Sequence, residues 1–255
     1  MKMKKMFLAA FMAAALMCGN ALFAQSNLYL NLGLNIPQGE FGSKATTCAL
    51  LSNRSTQGGA GLGANLGIKS VFNTKVKGLG IMVTLDGMYN GLQKDVEAED
   101  LSFIDIPEIA GLEVKTKNPS YINMPIMVGL NYCYNITNTF GLFAEGGVGA
   151  NVRFALPCTM SAQGQVLVFT SDFTSKIHYT PKVAFAYQFG GGVMIGKAIT
   201  LGVNYYNLGA SPVSGHADSS LKTSIISQAV TSSTELSHKE LSTSMLIVRL
   251  GIRLQ

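Results

Sequence analysis

Tryptophan is absent from this chain of 255 residues, charged side chains make up only 13% of it, and proline occurs seven times. The shortage of charge is the most informative lack, because soluble globular proteins carry about 25% charged residues. Hydrophobic residues reach 47%, which is too many for a disordered chain. Beyond the first two dozen residues no run of 18 apolar residues occurs, so the chain is not a helical membrane protein. No Lys/Arg-rich run interleaved with aromatics is present, which speaks against nucleic acid as a partner. The glycine-rich run from Gly59 to Gly67 lies in a strand pattern with no helix after it, so it is not a phosphate-binding loop. No spacing points to a cofactor, a metal site or a catalytic group.

What is present begins at the amino terminus. Met1 to Lys5 is basic, Met6 to Met17 is apolar and uncharged, and Ala21-Leu22-Phe23-Ala24 ends in a small residue. That order predicts a Sec signal peptide over residues 1–24, cleaved after Ala24. An uncleaved anchor fits less well, because the apolar stretch is short and broken by Gly19-Asn20. A lipoprotein acylated at Cys18 also fits poorly, since Met17 stands where a small residue is expected. Removing Lys2, Lys4 and Lys5 leaves 16 basic and 14 acidic side chains over residues 25–255, so the mature chain is nearly neutral. A secreted, apolar chain without a spanning helix points to a barrel, since only helices and closed barrels pair every backbone polar group within hydrocarbon.

The mature sequence alternates at period two in eight segments. These are Asn27 to Ile36, Gly61 to Phe72, Leu79 to Tyr89, Ile122 to Tyr134, Phe140 to Phe154, Val183 to Ile195, Ile199 to Tyr205 and Leu246 to Leu254. Three connections are short: Asn73 to Lys77, Ile136 to Thr139, and Lys197-Ala198. Four are long: Pro37 to Gln57, Gln93 to Asn118, Pro157 to Thr180, and Pro212 to Glu240. Short and long alternate, as periplasmic turns and external loops do in an outer-membrane barrel. The expected fold is all-β: an eight-stranded antiparallel up-and-down transmembrane β-barrel with short periplasmic turns and four long external loops.

The polar parity of these strands is rich in glycine and poor in charge, which suits the narrow interior of an eight-stranded barrel rather than a solvated surface. The apolar parity then faces outer-membrane lipid. Phe72, Tyr134 and Phe140 are expected near the periplasmic interface, with Tyr89, Phe154 and Phe185 near the outer one.

Three segments carry a resemblance: Tyr121 to Tyr132, Phe140 to Ala150, and Gly190 to Gly196 followed by Ile199 to Tyr206. In these strand patterns the chain resembles the small outer-membrane β-barrel family of OmpA-type and OmpX-type barrels and porin-family β-barrel domains, over Gln25 to Gln255. The resemblance implies an architecture and names no activity. Such barrels usually end in an aromatic residue read by the assembly machinery, whereas this chain ends Arg253-Leu254-Gln255.

The charges predicted to point into the lumen are Lys69, Asp86, Glu145, Arg153, Lys182, Arg249 and Arg253. Glu145 and Arg249 each lie five residues from a periplasmic strand end, and pairing is expected because an unpaired buried charge is costly. Such a pair either gates a narrow ion path or plugs the lumen. Cys48 and Cys158 fall in the first and third long connections, where an oxidising envelope would allow either a disulfide or two thiols. Cys133 faces the lumen by parity.

Asp95, Glu97, Glu99, Asp100, Asp105, Glu108 and Glu113 concentrate half of the acids in the second long connection. They suit either a solvated acidic loop or calcium, without the spacing of a calcium loop. Phe103, Ile104, Ile106, Pro107 and Ile109 in the same stretch suit a packed cap or a partner-binding surface. His178, His216 and His238 lie in or near external loops, with no spacing that makes a catalytic dyad. The expected role is a non-enzymatic envelope anchor that binds extracellular protein or glycan through its loops. A narrow pore for ions or small solutes is the alternative, and a lipid-modifying barrel enzyme a third reading.

Overall fold

Each alternating segment has one apolar face and one polar face, and its backbone groups need partners along both edges. Closing the sheet on itself satisfies both demands. In the computed structural model, residues 26–43, 49–50, 55–93, 113–117, 119–166, 169–196, 198–223 and 226–254 are described. The strands are β1 (Ser26–Gln38), β2 (Ala60–Asn73), β3 (Leu79–Leu92), β4 (Glu113–Lys117), β5 (Ser120–Asn135) and β6 (Phe140–Ala155). They continue as β7 (Cys158–Val166), β8 (Phe169–Tyr179), β9 (Lys182–Ile195), β10 (Ile199–Thr223) and β11 (Ile226–Leu254). A single helical turn, α1 (Gly39–Gly42), follows β1.

Eight of these strands form a ring in the order β1-β2-β3-β5-β6-β9-β10-β11, every neighbouring pair antiparallel. The ring closes between the two ends of the chain, from Leu28 opposite Leu254 to Gln38 opposite Ser244. The turn after β2 is fixed by Thr74, whose hydroxyl donates to the Leu79 carbonyl at 2.8 Å and accepts from the Val76 amide at 3.1 Å. It ends at Gly78, whose φ of 82° favours glycine.

The exterior of the ring is a belt of aliphatic and aromatic side chains. Leu66, Ile81, Val128, Leu142, Val183 and Leu201 are exposed around it. A continuous apolar surface of this kind is incompatible with water and suited to hydrocarbon. Tyr134 and Phe140 are exposed at the periplasmic end and Tyr89 and Phe185 towards the other, while Phe72 and Phe154 are half-buried.

Described parts of the long connections depart from the expected loops. Residues 157–180 contain the hairpin β7–β8, and residues 212–240 are largely the outer halves of β10 and β11. Outside the ring, β8 pairs with β10, β7 with β8, and β4 with β7, so among the described residues the sheet has eleven strands and spreads beyond the barrel mouth. The apolar alternation stops near Tyr205 although the strand runs on to Thr223, because both faces of its outer half carry Ser, Thr and small residues. A bulge at Gly209 (φ 80°) also changes the parity: Asn204, Tyr206 and Leu208 point inward before it, Ser211, Val213 and Ala217 after it. Cys48 and the stretch Asp95 to Ile109, with its acidic and apolar side chains, lie outside the described residues.

Candidate functional site

Lys69, Asp86, Glu145 and Arg249 descend from β2, β3, β6 and β11 into the middle of the lumen, and all four are buried. The Lys69 ammonium donates to Glu145 Oε2 at 2.9 Å. Arg249 Nη2 donates to Asp86 Oδ1 at 3.2 Å. The expected pairing of Glu145 with Arg249 is therefore replaced by two other pairs. The middle of the lumen holds two charges of each sign, and in the two pairs that form each of the four has a counter-ion.

Neutral side chains complete the network. Asn131 and Asn204 donate to the two oxygens of Glu145 at 3.1 and 2.7 Å. Asn65 donates to Asp86 Oδ1 at 3.2 Å and the Tyr206 hydroxyl to Oδ2 at 3.0 Å. Arg249 also donates to the Tyr206 oxygen at 2.6 Å. Both cations lie close to aromatic rings, Lys69 at 5.0 Å from the Phe143 centroid and Arg249 at 5.4 Å from that of Tyr206. These bonds tie β2, β3, β5, β6, β10 and β11 together across the lumen.

The remaining three predicted lumen charges sit nearer the rims. Arg153 is buried below the outer mouth, where it donates to the carbonyls of Leu241 (3.1 Å) and Ser211 (2.7 Å) and to the Thr243 hydroxyl (3.1 Å). Lys182 is half-buried opposite Arg153 on β9, and Arg253 is exposed at the periplasmic rim.

Above the charge network the lumen mixes polar and apolar side chains: Asn35, Asn90, Asn123, Asn151 and Arg153 are buried there beside an apolar cluster. Met88, Met127, Ala186, Leu208, Met245 and Ile247 pack into one buried cluster with Phe41 and Leu50 from the segment after β1. Phe41 meets Tyr121 edge-on at 4.9 Å, and the Tyr121 hydroxyl donates to the Gly58 carbonyl at 2.7 Å. Tyr179 reaches from β8 to donate to the Leu50 carbonyl. Cys158, Met160 and Ile177 join the same cluster from β7 and β8. The outer mouth is thus capped by side chains from β7, β8 and the segment after β1. Below the network a pocket of about 230 Å³ opens at the periplasmic end, lined by Asn27, Tyr29, Asn131, Cys133 and Arg253 among others. The Cys133 thiol donates to Asn131 Oδ1 at 3.1 Å.

Nothing in the sequence signalled that two histidines would meet. His178 on β8 and His216 on β10 are direct cross-strand partners, with rings stacked at 5.2 Å. Both were legible only as external histidines, because the connection containing His178 read as a loop rather than as half of a hairpin.

A ring of eight strands, closed end to end, with an apolar exterior and buried ion pairs within, has the build of a small membrane-spanning β-barrel. No family model matches the sequence, and no curated protein matches it. Among solved structures it is similar to the attachment invasion locus protein Ail of Yersinia pestis, solved with the heparin analogue sucrose octasulfate. Identity is 10%, the overlap covers 90% of this chain and 97% of that one, and the TM-score is 0.36. It is likewise similar to a major outer membrane protein of Thermus thermophilus, at 11% identity, 90% and 99% coverage and a TM-score of 0.37.

Proposed function

We propose that this barrel is an anchor and that its work is done by the sheet it holds outside the membrane. The observation that carries this reading is the contrast between the two ends. The lumen is crossed by two buried ion pairs and capped by a packed apolar cluster, while β10 and β11 extend a long hairpin beyond the ring that recruits β8, β7 and β4. A chain used only as a plug in the bilayer has no need of that outer sheet. We propose a non-enzymatic role in which the outer sheet binds an extracellular protein or glycan, after export on a cleaved signal peptide spanning residues 1–24. A disulfide between Cys48 and Cys158 would fasten the first connection to β7 at the rim; mass spectrometry of the unreduced mature chain tests it.

The passive-pore alternative needs a path past Lys69–Glu145 and Asp86–Arg249, and an apolar cap above them argues against one. The test compares proteoliposomes of the wild type with those of a variant whose hairpin is cut back to a turn joining Ser214 to Ser237. Screened on arrays of glycans and extracellular proteins, the wild type is expected to retain a ligand that the shortened barrel does not. Equal binding by both, or none by either, would contradict the reading.

A further inference from the structure

We propose that the outward face of the outer sheet binds a divalent transition-metal ion, zinc in the first instance, through His178, His216 and Asp218. This goes beyond the anchoring role and stands whether or not the sheet binds a macromolecule.

The backbone register builds the site. β8 and β10 pair so that His178 lies directly opposite His216, and Ile177 opposite Ala217. Ile177 and Ala217 are buried in the apolar cap, so the histidines point the other way, His216 exposed and His178 half-buried. Asp218 follows His216 by two residues and shares its face, its Oδ2 lying 3.7 Å from His216 Nε2. One donor atom from each of the three residues can be chosen so that all lie within 4.8 Å of one another.

The donor set selects the ion. Two imidazole nitrogens and one carboxylate oxygen suit zinc, copper or nickel, whereas calcium and magnesium take oxygen ligands. Bonds of about 2.0–2.2 Å to a tetrahedral centre put ligand atoms about 3.3–3.6 Å apart, so from a spread of up to 4.8 Å the side chains must close by about 1.2–1.5 Å. His216 and Asp218 are both more than half exposed and have the room to do so, while the ladder holds their backbones. Asp218 is already oriented: its other oxygen, Oδ1, accepts from the Ser233 hydroxyl at 2.9 Å, as outer partners of metal-bound carboxylates commonly donate. Glu235 on β11 is the register partner of His216 on its other side, which brings a further carboxylate to the same row. Lys176 stands opposite Asp218 and, among the described residues, is the cation in register with the site. Three protein ligands leave zinc a free position for water or for a ligand from a partner.

The test uses the mature chain, folded in detergent and free of any histidine tag, titrated with zinc chloride by calorimetry. The expected result is one zinc per chain with micromolar affinity. His178→Ala and His216→Ala should each weaken binding by at least about tenfold, since even outer-shell partners of a metal are worth that much. His238→Ala should leave it unchanged. Copper(II) in place of zinc gives a second readout: spin-resonance hyperfine coupling to two imidazole nitrogens in the wild type and one in either single variant. Heat-modifiable gel mobility checks that each variant is folded, as expected for His178 and His216, whose side chains stand beyond the ring. No zinc uptake by the folded wild type, or undiminished uptake by the variant lacking both histidines, would overturn the site.

Discussion

Glu145 shows how a single buried residue organises the lumen. Its carboxylate takes one charged and two amide donors, so deleting it strands Lys69 without a counter-ion. Glu145→Ala is expected to destabilise the folded barrel by about 3–5 kcal/mol, read as a lower urea midpoint in lipid vesicles. Replacing both partners, as in Lys69→Met with Glu145→Leu, should recover most of that loss, because an apolar pair of similar volume leaves no stranded charge. A double-mutant cycle between Glu145 and Lys69 should give a larger coupling than one between Glu145 and Arg249. The reverse order would restore the pairing that strand-end counting suggested. Gly67 makes a second case, since a Cβ there would collide with the Asp86 carboxylate. Gly67→Ala should therefore destabilise the barrel, and Gly87→Ala, which meets only the Leu66 carbonyl at an ordinary distance, far less. Period two was enough to read which side chains point into the lumen. Which of them touch is set by strand order around the ring, and a count along each strand cannot supply it.

At the scale of elements, the ring strands were legible because lipid on one side and a narrow lumen on the other impose opposite demands on successive residues. Leu201 and Val203 on β10 face lipid, with Gly202 and Asn204 behind them. Past Gly209 the same strand meets water on its open face, and apolar residues no longer mark alternate positions. That is why β7, β8 and the outer halves of β10 and β11 read as loops. The difference predicts a depth dependence. Leu201→Lys should cost about 2–4 kcal/mol of folding stability in vesicles, whereas Leu221→Lys on the outer hairpin should cost about 0–1 kcal/mol. Equal penalties at the two positions would mean that the membrane boundary lies elsewhere on β10. The His178–His216 pair was illegible for the same reason: without the β8–β10 register the two residues are merely two histidines in separate connections.

The whole molecule divides its labour along one axis. The periplasmic end is an open pocket of mixed lining, the middle a neutralised ionic network, the outer mouth an apolar cap, and beyond it stands the sheet. On the proposed reading this order makes the barrel a closed support. Planar-bilayer recording of the folded mature chain tests that directly, alongside Glu145→Ala as a lumen variant. A heat-modifiable, correctly folded protein that passes no current under applied voltage, as wild type and variant alike, is the predicted result. Reproducible conductance steps from the wild type that change in Glu145→Ala would contradict it, and would move the function from the outer sheet into the lumen.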